Sequence, residues 1–355
     1  MTLPLSLIAK DYHRLGKKAY QQGDYNKAIV YLKKNVEIKL KVPGYRYTDL
    51  PLGYFDLARA YKKAVQYDNA IKNYQKSLKL YKERFSPVKD HPVILAIYEV
   101  IGSVYKKKGQ YDKAIAYYQK VLKTRLQKLG TIHPDVADSY NALGLVYKRK
   151  GQYDKAISHY RQAEIIWSTS KHRSVVIAYN NLITAYTNTG QYDNAIKYKQ
   201  KSLNIAVIKL GPKHPQLARP YNSLGVAYAK NRQYNKAISY HQKALKILLK
   251  LTGPEDFLLA NSYSYLGFAY KGKGEYDKAI SYYQKALNIQ LKVYGSLDRR
   301  VTASYYHLSH AYKGKSNNEQ ALSYATKAVT TAKKLYGPKH LKTKKYAKYL
   351  KGLTR

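Results

Sequence analysis

Cysteine is missing altogether from the 355 residues. Its absence excludes a disulfide framework, a thiolate nucleophile and any cysteine-ligated metal site. A reducing compartment is compatible with that, and a cytoplasmic location is expected. No apolar stretch approaches the roughly 18 uninterrupted residues of a membrane-spanning helix, so membrane insertion is not expected. The N-terminal MTLPLSLIAKDYHRLG has no basic leader before its short apolar run and no small-residue cleavage site after it, so it reads as the first helix rather than a signal peptide. A Gly-rich phosphate loop, a nucleophile elbow and paired carboxylates are also lacking. The sequence offers no catalytic residues, and neither an enzyme nor a cofactor is expected. His91, His133 and His214 each precede a proline and lie far apart along the chain. Metal ligands must converge in space, so turn and capping roles are expected of these histidines.

Acid is the other scarcity. There are 21 Asp and Glu against 65 Lys and Arg, a net charge of +44. A field of that sign attracts anionic partners and speeds encounter with them, while saying nothing about the fold. Six of the few acids, Asp68, Asp112, Asp154, Asp193, Asp277 and Glu319, stand at the start of apolar-periodic segments. A carboxylate there stabilises the positive end of a helix dipole by roughly 0.3–1 kcal/mol, which makes these acids structural.

What the chain has in quantity is repetition. The stretch 140–167, YNALGLVYKRKGQYDKAISHYRQAEIIW, recurs about eight times, and the copy that begins at Tyr263 reads YSYLGFAYKGKGEYDKAISYYQKALNIQ. A central alanine measures the period, falling at Ala28, Ala70, Ala114, Ala156, Ala195, Ala237, Ala279 and Ala321, with differences of 42, 44, 42, 39, 42, 42 and 42. Each copy holds two periodic apolar segments around a Gly-Gln-Tyr-Asp type break, which predicts two helices and a short turn. One helix pair cannot bury its own apolar face, whereas stacked pairs can, so the fold class is all-α and solenoidal. Tyrosine supplies 42 of the residues, and at repeated positions its expected role is packing with the hydroxyl at a wet edge.

The copies vary instructively. Val65 stands where the turn glycine is usual, and the eighth copy has Ser316-Asn317-Asn318-Glu319 in place of the turn motif. Pro92 suits the first turn of a helix, where a missing N–H goes unmissed. In the fifth copy Ile183 replaces a small residue and Lys199 replaces an aromatic. A bulky side chain at a helix crossing is expected to disturb the local geometry. Second helices run on to glycines 130, 211, 253, 295 and 337, which are expected to close them in a left-handed conformation.

Leu before a small residue, Tyr three further on, Gly, Tyr-x-x-Ala and a second aromatic resemble the tetratricopeptide pattern over nearly the whole chain. The long period and linkers such as LGTIHPDVADSYNAL (129–143) and LGPKHPQLARPYNSL (210–224) resemble the kinesin-light-chain type of that repeat. The resemblance implies a right-handed superhelical solenoid of about eight helix-turn-helix repeats, approximately 11–43, 52–87, 92–130, 134–169, 174–211, 215–253, 257–295 and 299–337, with a capping helix in 338–355. It also implies a concave groove lined by the first helices. Asn141, Asn180 and Asn222 fall where the family presents asparagine to a peptide backbone, although a solvated helix face would equally hold them. Lys62, Lys63, Lys106, Lys107, Lys148, Arg149, Arg219, Lys230, Lys271 and Lys313 would face or rim the groove, with few acids beside them, chiefly Glu99 and Asp138. Those cations suit a ligand with carboxylates or phosphates, or serve helix ends and solubility. Lys34, Lys76, Lys120, Lys201, Lys243, Lys285 and Lys327 are expected on the convex, solvated face.

By resemblance, the expected function is an adaptor or scaffold holding an extended, acidic segment of a partner protein. Lacking the heptad-repeat segment that joins a kinesin light chain to its motor subunit, the chain is expected to stand alone. Two other readings remain at this point. Interleaved Lys and Tyr suit an RNA-binding solenoid, and exposed repeat ends suit a self-assembling array.

Overall fold

The structure, a computed structural model, describes residues 4–86, 91–251, 253 and 256–354. Pro87, where the second repeat was expected to end, and Arg355 of the cap lie outside the described residues. Among the described residues the regular elements are seventeen α-helices and two short 3-10 turns. The chain divides into two compact units, 1–181 and 182–355, with the division inside one helix of the fifth repeat, α9 (Val175–Asn188).

In unit 1, four helix pairs precede that point. They are α1 (Leu5–Gln21) with α2 (Tyr25–Lys41), α3 (Leu50–Lys63) with α4 (Tyr67–Arg84), α5 (Pro92–Lys107) with α6 (Tyr111–Leu129), and α7 (Pro134–Arg149) with α8 (Tyr153–Thr169). In unit 2, α10 (Tyr192–Leu210) is followed by α11 (Ala218–Lys230) with α12 (Tyr234–Leu251), α13 (Phe257–Lys273) with α14 (Tyr276–Tyr294), α15 (Arg299–Gly314) with α16 (Asn318–Tyr336), and the terminal α17 (Leu341–Lys351). Within each unit successive helices pack on one another, most extensively inside a pair, and in unit 2 the first helices α11, α13 and α15 also touch their neighbours.

Most pairs cross at one recurrent contact between a residue of the first helix and the residue sixteen positions later in the second. A methyl group placed on Gly144 would lie 2.5 Å from the ring of Tyr160, one on Gly267 would lie 2.7 Å from Tyr283, and one on Gly225 would lie 2.6 Å from His241. The side chain missing from the first helix is thus the space the ring fills. Tyr74, Tyr160 and Tyr283 are fully buried there, and truncating such a ring to alanine costs about 3–5 kcal/mol. In the fifth repeat the pair at these positions is Ile183 and Lys199. The added bulk on one helix coincides with removal of the ring from the other, and the lysine instead sends its ammonium to Ser223 Oγ of α11 at 2.6 Å.

The break between paired helices is equally regular. Gly23, Gly109, Gly151, Gly190 and Gly274 have φ between 73° and 87°, and the equivalent residues of the other three repeats adopt the same hand: Val65 (63°), Arg232 (58°) and Ser316 (63°). The turn therefore forms even where its glycine is missing, held by packing on either side. The glycines that close second helices differ from expectation. Gly130, Gly211, Gly295 and Gly337 have positive φ but ψ of 178°, 151°, 174° and 162°, an extended region open almost only to glycine rather than the left-handed helical one.

First helices are capped as the histidines suggested. The Nδ1 atoms of His91, His133, His172, His214 and His340 accept from the backbone N–H two residues on, at 3.2–3.3 Å, and Asp256 and Asp298 do so with carboxylates in the same place. The acids that begin second helices sit in the first turn as expected. Several also reach the next repeat: Asp68 pairs with Lys108, Asp112 with Lys150 and Asp277 with Lys315. These pairs are exposed and contribute little individually.

Tyrosine absorbs much of the positive charge. Lys34, Lys76, Lys120, Lys201, Lys243, Lys285 and Lys327 all lie over tyrosine rings, 5.0–6.0 Å from the centroids. The rings stack in turn, with Tyr240 between Tyr221 and Tyr228, and Tyr282 between Tyr263 and Tyr270. An ammonium over such a face gains about 0.5–1 kcal/mol at an exposed site.

Val65 carries the largest backbone strain of this pattern, because a β-branched residue in the left-handed region is penalised by about 1–2 kcal/mol while glycine is not. Val65→Gly is expected to raise stability by about 1 kcal/mol after glycine's greater chain entropy is subtracted, and Gly151→Val to lower it. Urea unfolding followed by circular dichroism checks both signs.

Candidate functional site

In unit 1 the first helices α3, α5 and α7 end on equivalent lysines. Lys62, Lys106 and Lys148 are half-buried, and each is followed by an exposed cation, Lys63, Lys107 and Arg149. Lys62 Nζ donates to Ser103 Oγ of α5 at 2.9 Å, and Lys106 Nζ stands 6.0 Å from the ring of Tyr118. Burial pulls the pKa of all three below the ordinary lysine value. The next causes are other cations: Lys107, Lys106, Lys63 and Arg59 for Lys62, then Arg149, Lys107 and Lys148 for Lys106, then Arg149 for Lys148. No carboxylate stands among those causes. The two acids expected nearby, Glu99 and Asp138, are not among them. Glu99 pairs with Arg125 at 2.7 Å. Asp138 has its pKa raised by burial and by Asp135, against Arg125 and His172. Three desolvated ammonium groups therefore repel one another, a state that an anionic ligand would relieve.

In unit 2 a cleft of about 590 Å³ is lined by Lys199, Arg219, Asn222, Lys230, Phe257 and Tyr265 among others, and no acid lines it among the described residues. Arg219 and Lys230 are exposed and Lys199 is half-buried. Lys271, equivalent to Lys148, is half-buried 5.6 Å from the Phe268 ring, with its pKa lowered by burial. It lies outside the cleft lining and faces His307 and His310 instead. Lys313 is exposed 5.9 Å from the Tyr349 ring.

The three asparagines separate. Asn141 Oδ1 accepts from Asn181 Nδ2 at 2.8 Å, forty residues on, which ties α7 to α9. Asn222 Nδ2 donates to Ser262 Oγ at 2.7 Å, again forty residues on, and its Oδ1 accepts from His241 Nδ1 at 2.8 Å. Two of the three thus join one repeat to the next. Asn180 is exposed on α9. The residues that sequence reasoning missed are Lys199, Ser103, Phe257 and Tyr265. In the sequence Lys199 reads only as a lost aromatic. The signal that could have found it was its sixteen-residue offset from Ile183, which marks both as one altered contact.

A family model described as "Tetratricopeptide repeat" matches residues 7–83, 93–164, 174–250 and 258–334. No match was found among the curated proteins. Among solved structures, the chain is similar to the Signal Transduction ATPase with Numerous Domains protein with a tetratricopeptide repeat sensor from Pyrococcus horikoshii. That likeness has 19% identity and a TM-score of 0.53, and covers 92% of this chain and 49% of that one. It is also similar to the apo form of RapI, with 17% identity and a TM-score of 0.50, over 80% of this chain and 98% of that one. Kinesin light chain nearly identical TPR-like repeats of Podosopora anserina match at 19% identity and a TM-score of 0.33, over 70% of this chain and 99% of that one. At such identities the first two likenesses are ones of fold.

His241 gives the unit 2 site a pH dependence. Burial lowers its pKa to about 4, and His307 and His310 are lowered to about 4 as well, chiefly by burial. The unfolded chain takes up these protons near the ordinary histidine pKa of about 6.5, before the folded one does. Their contribution is therefore complete above that value and is lost as pH falls from about 6.5 towards 4. Thermal melts at several pH values are expected to show this loss, and His241→Tyr, which restores the ring of the other repeats, to remove part of it.

Proposed function

The chain belongs to the tetratricopeptide repeat family, and from that premise we propose that it is a protein-interaction module whose first-helix cations hold an extended, acidic segment of a partner protein. Proteins of this family generally mediate protein–protein interactions. The observation that carries the finer reading is the cluster of Lys62, Lys106 and Lys148, half-buried, mutually repelling and without a carboxylate among the groups that perturb them. Carboxylates arriving there would form charge-assisted hydrogen bonds where the protein has left ammonium groups underpaired. The exposed Lys63, Lys107 and Arg149 would steer the approach of the segment and add little affinity individually.

A nucleic acid is the competing ligand for a surface this basic. Unspecific single-strand binding combines phosphate contacts with bases stacked on aromatic rings. Here the repeated tyrosines are occupied by one another and by lysines. RNA binding would then rest on phosphate charge alone, and would fall steeply with salt.

Reversing Lys106, Lys107, Lys148 and Arg149 to Glu together is expected to abolish binding of a labelled Asp/Glu-rich peptide while leaving helicity and the unfolding midpoint in place; a folded variant that still binds would sink this site. Single-stranded RNA tested in parallel by fluorescence anisotropy is expected to lose its affinity between about 50 and 200 mM salt. RNA binding that stays tight at the upper salt would favour the nucleic-acid reading. Peptide binding should also take up protons in alkaline buffer, because a bound anion raises lysine pKa values that burial has lowered. Calorimetry in buffers of different ionisation enthalpy reads that uptake directly.

A further inference from the structure

The unit 2 cleft has features that a peptide held on the unit 1 lysines leaves unexplained. Its volume, about 590 Å³, is that of a site for a small ligand or a single large side chain. Lys199 enters it from α10, at a position where other second helices bury Tyr74, Tyr160 or Tyr283. It is held by its hydrogen bond to Ser223 Oγ at 2.6 Å, and the main causes lowering its pKa are burial and Lys230. A hydroxyl that accepts from an ammonium keeps its own O–H to donate. Arg219 adds a planar fork of donors. Phe257, 50% exposed, and Tyr265, 37% exposed, supply aromatic surface, and Tyr265 is backed by His241 at a centroid distance of 5.3 Å.

We propose that this cleft is a separate site for an aryl phosphate, with Lys199, Arg219, Lys230 and Ser223 around the phosphate and the ring against Phe257 and Tyr265. A single carboxylate would leave most of this charge unmatched. A phosphomonoester carries roughly −1.5 to −2 at neutral pH and three acceptor oxygens, so it matches more of the charge of the three cations and can still accept from the hydroxyl. The aromatic ester completes the fit, since inorganic phosphate has nothing to set against the two exposed rings. A phosphotyrosyl side chain and a free aryl phosphate share this chemistry. The site is independent of the acidic-peptide reading of unit 1.

The test is calorimetric titration of the full chain with phenyl phosphate, inorganic phosphate and phenylacetate at about 150 mM salt, where long-range attraction is screened beyond about 8 Å. Phenyl phosphate is expected to bind with a stoichiometry of one and about tenfold more tightly than either comparison ligand. Lys199→Met and Arg219→Gln should each remove about tenfold or more of that affinity. The Lys106→Glu/Lys148→Glu double variant should leave it unchanged, and Lys199→Met should still bind the acidic peptide. Arg219 is exposed, so its variant keeps the test decisive if Lys199→Met does not fold. Equal affinity for all three ligands, or phenyl phosphate binding that survives Arg219→Gln or is lost with Lys106 and Lys148, would overturn the proposal. A phosphotyrosine peptide that binds more tightly than phenyl phosphate would identify the source as a protein segment, and the reverse order a small molecule; either supports the site.

Discussion

Most repeats depend on one crossing, where the residue of the first helix that lacks or nearly lacks a side chain meets a large side chain sixteen positions later. The distances leave no room for an added methyl at Gly144, Gly225 or Gly267. Interiors are close-packed, so that contact sets how near the two helices lie. The spacing in turn places the turn residue in the left-handed region, even when it is Val65 or Arg232. Alanine at the start of the second helix, such as Ala156 or Ala279, is fully buried for the same reason. The fifth repeat alters the crossing at both positions, with Ile183 for the small residue and Lys199 for the ring, and the displaced amine becomes part of the unit 2 cleft.

A chain with a net charge of +44 has to place its lysines somewhere tolerable. Carboxylates are too few to neutralise them, and those available sit largely at helix starts and in pairs such as Asp68 with Lys108. Tyrosine takes a large part of the remainder, because its ring presents a negative face to a cation without adding formal charge. The abundance of tyrosine and of lysine thus has a shared cause in the packing. Against that background the half-buried lysines 62, 106, 148 and 199 are distinctive, since their pKa values are depressed by burial and by other cations.

Much of the fold was legible because its signals are local and repeated. The alanine period, the apolar periodicity and the break between helices each recur about eight times, so the all-helical repeat and the helix starts at residues such as Tyr111, Tyr153 and Tyr276 follow from pattern alone. Histidine caps were readable for the same reason, as were the first-turn acids. Gly130, Gly211, Gly295 and Gly337 are readable as the ends of second helices, but their conformation is not, since ψ depends on the path of the linker that follows. The candidate site was legible in part. The helix-end lysines could be named from the repeat, whereas Asn141 and Asn222 proved to bind the next repeat, through partners about forty residues away that no local pattern announces.

By itself the sequence determined the repeat, its helices, their caps and the sign of the charge, because each follows from residue type at a fixed spacing. Only the tertiary structure decided which cations are desolvated and which rest on tyrosine rings, which amides are already spent between repeats, and that Lys199, Arg219 and Lys230 line one cleft with Phe257 and Tyr265. Those properties depend on distances between helices, and such distances are set by how side chains from separate repeats fill shared space.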